Sequence, residues 1–234
     1  MITFNLPKGA ARLIVLQRIE LINPFLIKLR KFFGRYIFSN FITKYFLNSN
    51  QIGISYYAAM HKEFLTFQNF IDSDQDQLFL SIGGGLGGLE LIINQNIPSK
   101  KYYFIERNYI SKKVKYGWGG TINNEAYNDL EIQKRFLENN GMQNSQINIF
   151  DYDKDKLPEQ KFDVVISLFS LDYHYDFEIY AEYLKKISKP NTRIIFDTIR
   201  PDYFLKVFKN VKILAIQENT VHKSKRILCS EFLV

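Results

Sequence analysis

Residues Ser81 to Glu90 read SIGGGLGGLE, and five of the chain's 12 glycines lie between Gly83 and Gly88. The run follows the apolar stretch Leu78-Phe79-Leu80. A strand that ends this way and passes into a helix brings bare backbone up to a ligand, because no Cβ blocks the approach and the helix N-terminus offers free N–H groups. Two spacings coexist. Gly83, Gly85 and Gly88 fit G-x-G-x-x-G, and Gly83, Gly85 and Gly87 fit G-x-G-x-G. Both belong to a strand–loop–helix unit, so the run points to an α/β fold.

The pattern around the run agrees. Leu78–Ile82, Tyr102–Glu106, Ile147–Phe150, Phe162–Phe169 and Arg193–Phe196 read as strands. Helices are expected from Leu89 to the stop at Pro98, from Asn128 to Asn139 with Gly141 behind it, and over Phe177–Ile187. Asn128 reads as an N-cap with Glu131 as its partner. Pro201 opens a short helix. Val211–Ile216 and Arg226–Leu233 are two further strands with only a polar turn between them. No crossover helix fits that gap, so they are antiparallel neighbours. The expected fold is a Rossmann-like, seven-stranded, mainly parallel sheet closed by a C-terminal antiparallel hairpin, over residues 71–234.

The first 70 residues read differently, as a basic, aromatic helical extension. Residues 1–50 hold eight Lys/Arg and one acid, Glu20, which is the whole net charge of +7; the remainder is balanced. Between residues 11 and 47 apolar and basic side chains alternate at roughly helical spacing, with breaks expected at Pro24 and Gly34. No stretch approaches the ~18 apolar residues of a membrane span. Such a segment serves as a lid over the site, a homodimer interface, or a peripheral contact with an anionic membrane. Nucleic acid is not an expected partner, since the balanced remainder carries no binding motif. Cys229 is the single cysteine, which excludes an internal disulfide and a multi-cysteine metal site. No signal-peptide pattern opens the chain, so a cytoplasmic setting is expected.

Glu106 ends the second strand, where an acid can accept hydrogen bonds from both ribose hydroxyls of an adenosine. Glycine loop, acid, strand order and terminal hairpin together resemble the class I S-adenosylmethionine-dependent methyltransferases. A narrower likeness is to sugar O-methyltransferases. It is carried by Tyr116-Gly117-Trp118 followed by Ala126-Tyr127-Asn128, by Ile166-Ser167-Leu168-Phe169-Ser170, and by His174-Tyr175. The resemblance implies S-adenosylmethionine as cofactor, contacted by Ser81, Gly83, Gly85, Gly87, Glu106, Asp151 and Ser167. Asp151 would hold the adenine amine. It implies a small-molecule or glycan acceptor beside Tyr116, Trp118, Tyr127 and Asn128. Ser81 departs from the pattern, which begins the loop with Asp or Glu.

A sugar hydroxyl is a poor nucleophile at neutral pH, so a base beside it is useful. His174, just past the fourth strand, is the candidate, with Asp172 to orient it or bind substrate. His61 and His222 fall elsewhere. Asp172 and Asp197 end adjacent strands but form no acidic cluster tight enough for a metal, and none is expected. Arg200 reads as a surface ion-pair partner. Two other functions share the glycine loop: an NAD-dependent oxidoreductase, and a non-catalytic subunit of the same fold.

Overall fold

A computed structural model describes residues 3–98, 100–111, 126–217 and 223–233. The strands are β1 (Leu78–Ile82), β2 (Lys101–Glu106), β3 (Ile147–Asp151), β4 (Phe162–Ser167), β5 (Ser188–Thr198), β6 (Phe208–Ile216) and β7 (Lys225–Phe232). They form one sheet in the order β3-β2-β1-β4-β5-β7-β6. The first five are parallel, and β7 runs antiparallel to both β5 and β6. The expected fold, including its terminal hairpin, is the observed one.

Helices cover both faces, which is why the central strands are apolar without alternation. Consecutive side chains still part to opposite sides. Phe79 enters one core and Leu80 the other; Ile195 and Ile194 of β5 divide likewise, as do Leu228 and Ile227 of β7. The first core is closed by α1 (Ala10–Gln17), α3 (Ser49–Leu65), α4 (Gly88–Asn96) and α5 (Leu130–Asn139), the second by α6 (Glu178–Ile187) and α7 (Pro201–Phe204). β5 begins earlier than its apolar run suggests. Its pairing with β4 is irregular between Phe162 and Val164, and there the Thr192 hydroxyl donates to the Phe162 carbonyl at 2.6 Å. Pro190 is accommodated within that irregularity.

The N-terminal segment breaks where Pro24 and Gly34 suggest. α2 (Pro24–Tyr45) starts at the proline and kinks at Gly34, with φ 70° and ψ 159°. The apolar side chains of α1 are not displayed to a partner or a membrane. Leu13, Ile14, Val15 and Leu16 are buried in the first core together with Phe79 of β1 and Leu91 of α4. Among the described residues, the exposed large apolar side chains of the first 70 residues are Phe25, Ile37, Phe41, Tyr45 and Phe46 on and just past α2, and Leu65 at the end of α3. Among the described residues no helix is long and apolar enough to cross a membrane.

One buried ion pair joins these layers. Arg226 and Asp197 are cross-strand partners in β7 and β5, and both side chains are fully buried. The guanidinium grips the carboxylate with two bonds of 3.0 Å and reaches α3 and the turn after it through Glu63 and the Thr66 hydroxyl at 2.9 Å. Removing one member leaves the other charge stranded, so Arg226→Met is expected to lose ~3–5 kcal/mol of stability. Adding Asp197→Leu should return most of that loss; urea denaturation of both variants checks this.

Candidate active site

β1 ends at Ile82, and the next turns are left-handed: Gly83, Gly85 and Gly87 have φ of 65°, 69° and 81°. All three positions also lack room for a side chain; at Gly87 a Cβ would come within 2.9 Å of the Leu137 side chain. A Cβ at Gly83 would strike the Ser170 hydroxyl, and one at Gly85 would strike the side-chain amide of Gln17. Gly87 is the N-cap of α4, so the loop delivers the chain straight into a helix N-terminus. Ser81 is buried beneath this turn, and its Oγ has no hydrogen-bond partner among the described residues.

Glu106, at the end of β2, is buried at 7% exposure and accepts the Gly85 N–H at 2.7 Å. Burial pushes its carboxyl up to about 8; the Gly85 amide and Asn128 pull the other way, and the charge of Glu90 adds to the rise. Asp151 is the register partner of Glu106 on β3. Its Oδ1 accepts the Asp153 N–H at 3.2 Å, and its Oδ2 meets Lys154 at 3.3 Å. Asp151 therefore stands at the correct strand end with its carboxylate already paired within a turn.

Three other expectations need correction. Ser167 does not face a ligand with a spare hydroxyl. It donates to the Ile82 carbonyl at 2.7 Å and accepts the Leu171 N–H at 3.0 Å, clasping β4 and its following loop to β1. Asn128 is not the N-cap of α5; Asp129 is, accepting the Ile132 N–H at 3.0 Å. The Asn128 amide instead donates to the Gly85 carbonyl at 3.0 Å and to Gln133 at 2.9 Å, so it braces the glycine loop. Asp172 does not orient His174. Thr198 donates to its Oδ2 at 2.5 Å, and Arg200 holds its Oδ1 at 2.5 and 3.0 Å.

Tyr127 packs against the first core and bridges antiparallel to Ile110. Its carbonyl accepts the Gln17 amide at 2.7 Å. Tyr116 and Trp118 lie outside the described residues.

His174 is exposed in the loop between β4 and α6. Ser170 organises that loop, its carbonyl accepting the amides of Tyr173, His174 and Tyr175 at 3.2, 2.8 and 3.1 Å. Because the Ser170 hydroxyl occupies the space against Gly83, the His174 turn and the glycine loop adjoin. Phe169 and Asp172 hold left-handed φ of 57° and 56°, which non-glycine residues adopt at a cost. The Phe169 ring lies under the Arg18 guanidinium at 4.7 Å, with Arg226 at 5.8 Å and Tyr173 edge-on at 5.6 Å. Gln17 and Arg18, neighbours at the end of α1, thus reach both loops of the site. No motif marked them.

No protein-family model matches this chain, and no curated protein matches it. Solved structures do. The S-adenosylmethionine-dependent methyltransferase SibL superposes with a TM-score of 0.51 at 13% identity, over 79% of this chain and 60% of SibL. That likeness establishes the fold. The mitomycin 7-O-methyltransferase MmcR gives 0.48 at 12% identity, covering 96% of this chain and 61% of MmcR. The precorrin-6y C5,15-methyltransferase of Geobacter metallireducens gives 0.46 at 14%, covering 80% and 93%. This chain spans well under two thirds of the length of the first two.

The raised Glu106 carboxyl makes a stability prediction. The folded state binds its proton up to about pH 8, whereas an unfolded glutamate releases it near pH 4.5. Stability contributed by this group is present below pH 4.5 and is lost as pH rises toward 8. Glu106→Gln cannot ionise. Its melting temperature should equal the wild type's near pH 4.5 and exceed it increasingly toward pH 8–9, measured without ligand in a buffer series.

Proposed function

We propose that this chain is an S-adenosylmethionine-dependent methyltransferase acting on oxygen, with a hydroxyl of a saccharide or glycoconjugate as acceptor. The observation that carries the reading is the desolvated Glu106 carboxylate, set against Gly85 and in register with Asp151 at the strand ends. A buried carboxyl at the strand end suits a vicinal diol, which brings two O–H donors. The glycine turn supports the same cofactor, because its backbone admits close approach and excludes side chains. The sheet order, with an antiparallel strand inserted next to β5, differs from the all-parallel sheet of a plain dinucleotide-binding domain and weighs against the NAD reading.

When bound, S-adenosylmethionine supplies an electrophilic methyl group carried on a sulfonium. The chain's residues do the rest. Glu106 would hold the ribose hydroxyls of that cofactor, and Asp151, its register partner, the adenine amine. Gly83 to Gly87 would let the cofactor approach the backbone closely. His174 takes the proton of the acceptor hydroxyl at an imidazole nitrogen, which raises the nucleophilicity of the oxygen as it attacks. Asp172, through Arg200 and Thr198, fixes the loop that carries His174 and is a positioning residue. Tyr173 places an aromatic ring beside it, of the kind that packs on the apolar face of a sugar ring.

Calorimetry with S-adenosylmethionine, S-adenosylhomocysteine and NAD tests the cofactor. Binding of the first two and not NAD is expected, and Glu106→Ala should weaken S-adenosylhomocysteine by about tenfold or more, ~1.4 kcal/mol. Unchanged affinity would remove Glu106 from the cofactor site. His174→Ala should retain cofactor affinity while turnover on a saccharide acceptor falls by about 10²-fold or more. A fully active variant would end the assignment of the base.

A further inference from the structure

A second buried acid touches the glycine loop. Glu90 is in the first turn of α4, at 2% exposure, among the buried Leu89, Leu91, Ile92 and Ile93. Its Oε2 has no hydrogen-bond partner among the described residues, and neither has the Oγ of Ser81 beside it. Both groups press on the middle of the loop. A Cβ at Gly84 would strike the Ser81 hydroxyl and come within 3.3 Å of Glu90 Oε1. Burial raises the Glu90 carboxyl and the nearby Ser81 hydroxyl offsets it only in part, so the open Oε2 sits in a setting that penalises its charge unless a further donor arrives.

An exposed glutamate in a first helical turn would satisfy the helix dipole without this desolvation. Packing alone would be met by leucine or methionine. The feature that neither explanation covers is an open carboxylate oxygen, Glu90 Oε2, on an acid that lies with the Ser81 hydroxyl directly under a ligand-cradling turn.

We propose that Glu90 is the acid of this glycine loop. It stands in for the Asp or Glu that the loop pattern places where this chain has Ser81, and with the Ser81 hydroxyl it takes the positively charged amino group at the amino-acid end of the cofactor. The inference rests on the S-adenosylmethionine reading above. An ammonium carries three N–H donors and one positive charge. Ser81 can take a hydrogen bond but brings no charge, and Glu90 supplies the charge. The departure at Ser81 is then a relocation of the acid from the strand to the helix it leads into.

Two ligands separate this role from a structural one. S-adenosylhomocysteine carries the amino-acid end; 5′-methylthioadenosine shares its nucleoside and lacks that end. In calorimetry on the full chain, Glu90→Gln is expected to weaken S-adenosylhomocysteine by about tenfold or more and to leave 5′-methylthioadenosine within about twofold. Adding Ser81→Asp to E90Q should restore most of the S-adenosylhomocysteine affinity, because the charge returns at the strand position. Equal weakening of both ligands, or no weakening of S-adenosylhomocysteine, overturns the proposal. Failure of the wild type to bind either ligand overturns the cofactor reading itself, an outcome distinct from the first two.

Discussion

Glu106 is a carboxylate with almost no water, held against the backbone amide of Gly85, and much of the site follows from that contact. A charge so placed is costly unless donors converge on it. The glycine turn supplies the amides of Gly85 and Gly84, and Asn128 both bonds the carboxyl and braces the turn through the Gly85 carbonyl. Asn128 is available because Asp129 caps α5 in its stead. One desolvated acid therefore links the end of β2, the loop after β1 and the segment that leads into α5.

The site is assembled from parts of the chain that sequence proximity does not connect. Gln17 reaches Gly85 and the Tyr127 carbonyl, and Arg18 covers Phe169, so the end of α1 spans both the glycine loop and the loop after β4. Those contacts hold because the preceding turns of α1 are buried in the first core. Loosening α1 would disturb both loops together, although it lies more than sixty residues before the glycine run in the chain.

The sheet was readable because its signals are local. Apolar runs, Pro98 and Gly141 as stops, and a hairpin gap too short for a helix each act within a few residues. Gly83, Gly85, Gly87 and Glu106 were readable for the same reason. What escaped the sequence depends on partners far along the chain. Ser167 looks like a ligand contact until Ile82 and Leu171 claim its hydroxyl. Asp172 looks like a partner for His174 until Thr198 and Arg200, more than twenty residues on, take both oxygens. Gln17 sits in an ordinary apolar helix and carries no mark. Glu90 did leave a sign, an acid within the apolar run Leu89–Ile93, but only the fold shows that every neighbour there is buried.

The acids along the C-terminal edge of the sheet divide into two kinds. Asp151 has Lys154, Asp172 has Arg200 and Asp197 has Arg226, so each carries its own cation. Glu106 and Glu90 are as deeply buried, yet neither has a cationic side chain among the described residues. They are also the two that border the glycine turn. Paired acids shape the loops around the edge, whereas burial holds the two without a cation toward their protonated form until donors converge on them. A ligand rich in donors at one end and positively charged at the other would satisfy both acids at once. The burial of these two acids thus adds to the glycine spacing, which several adenosine ligands share, the condition that whatever binds must bring donors to both.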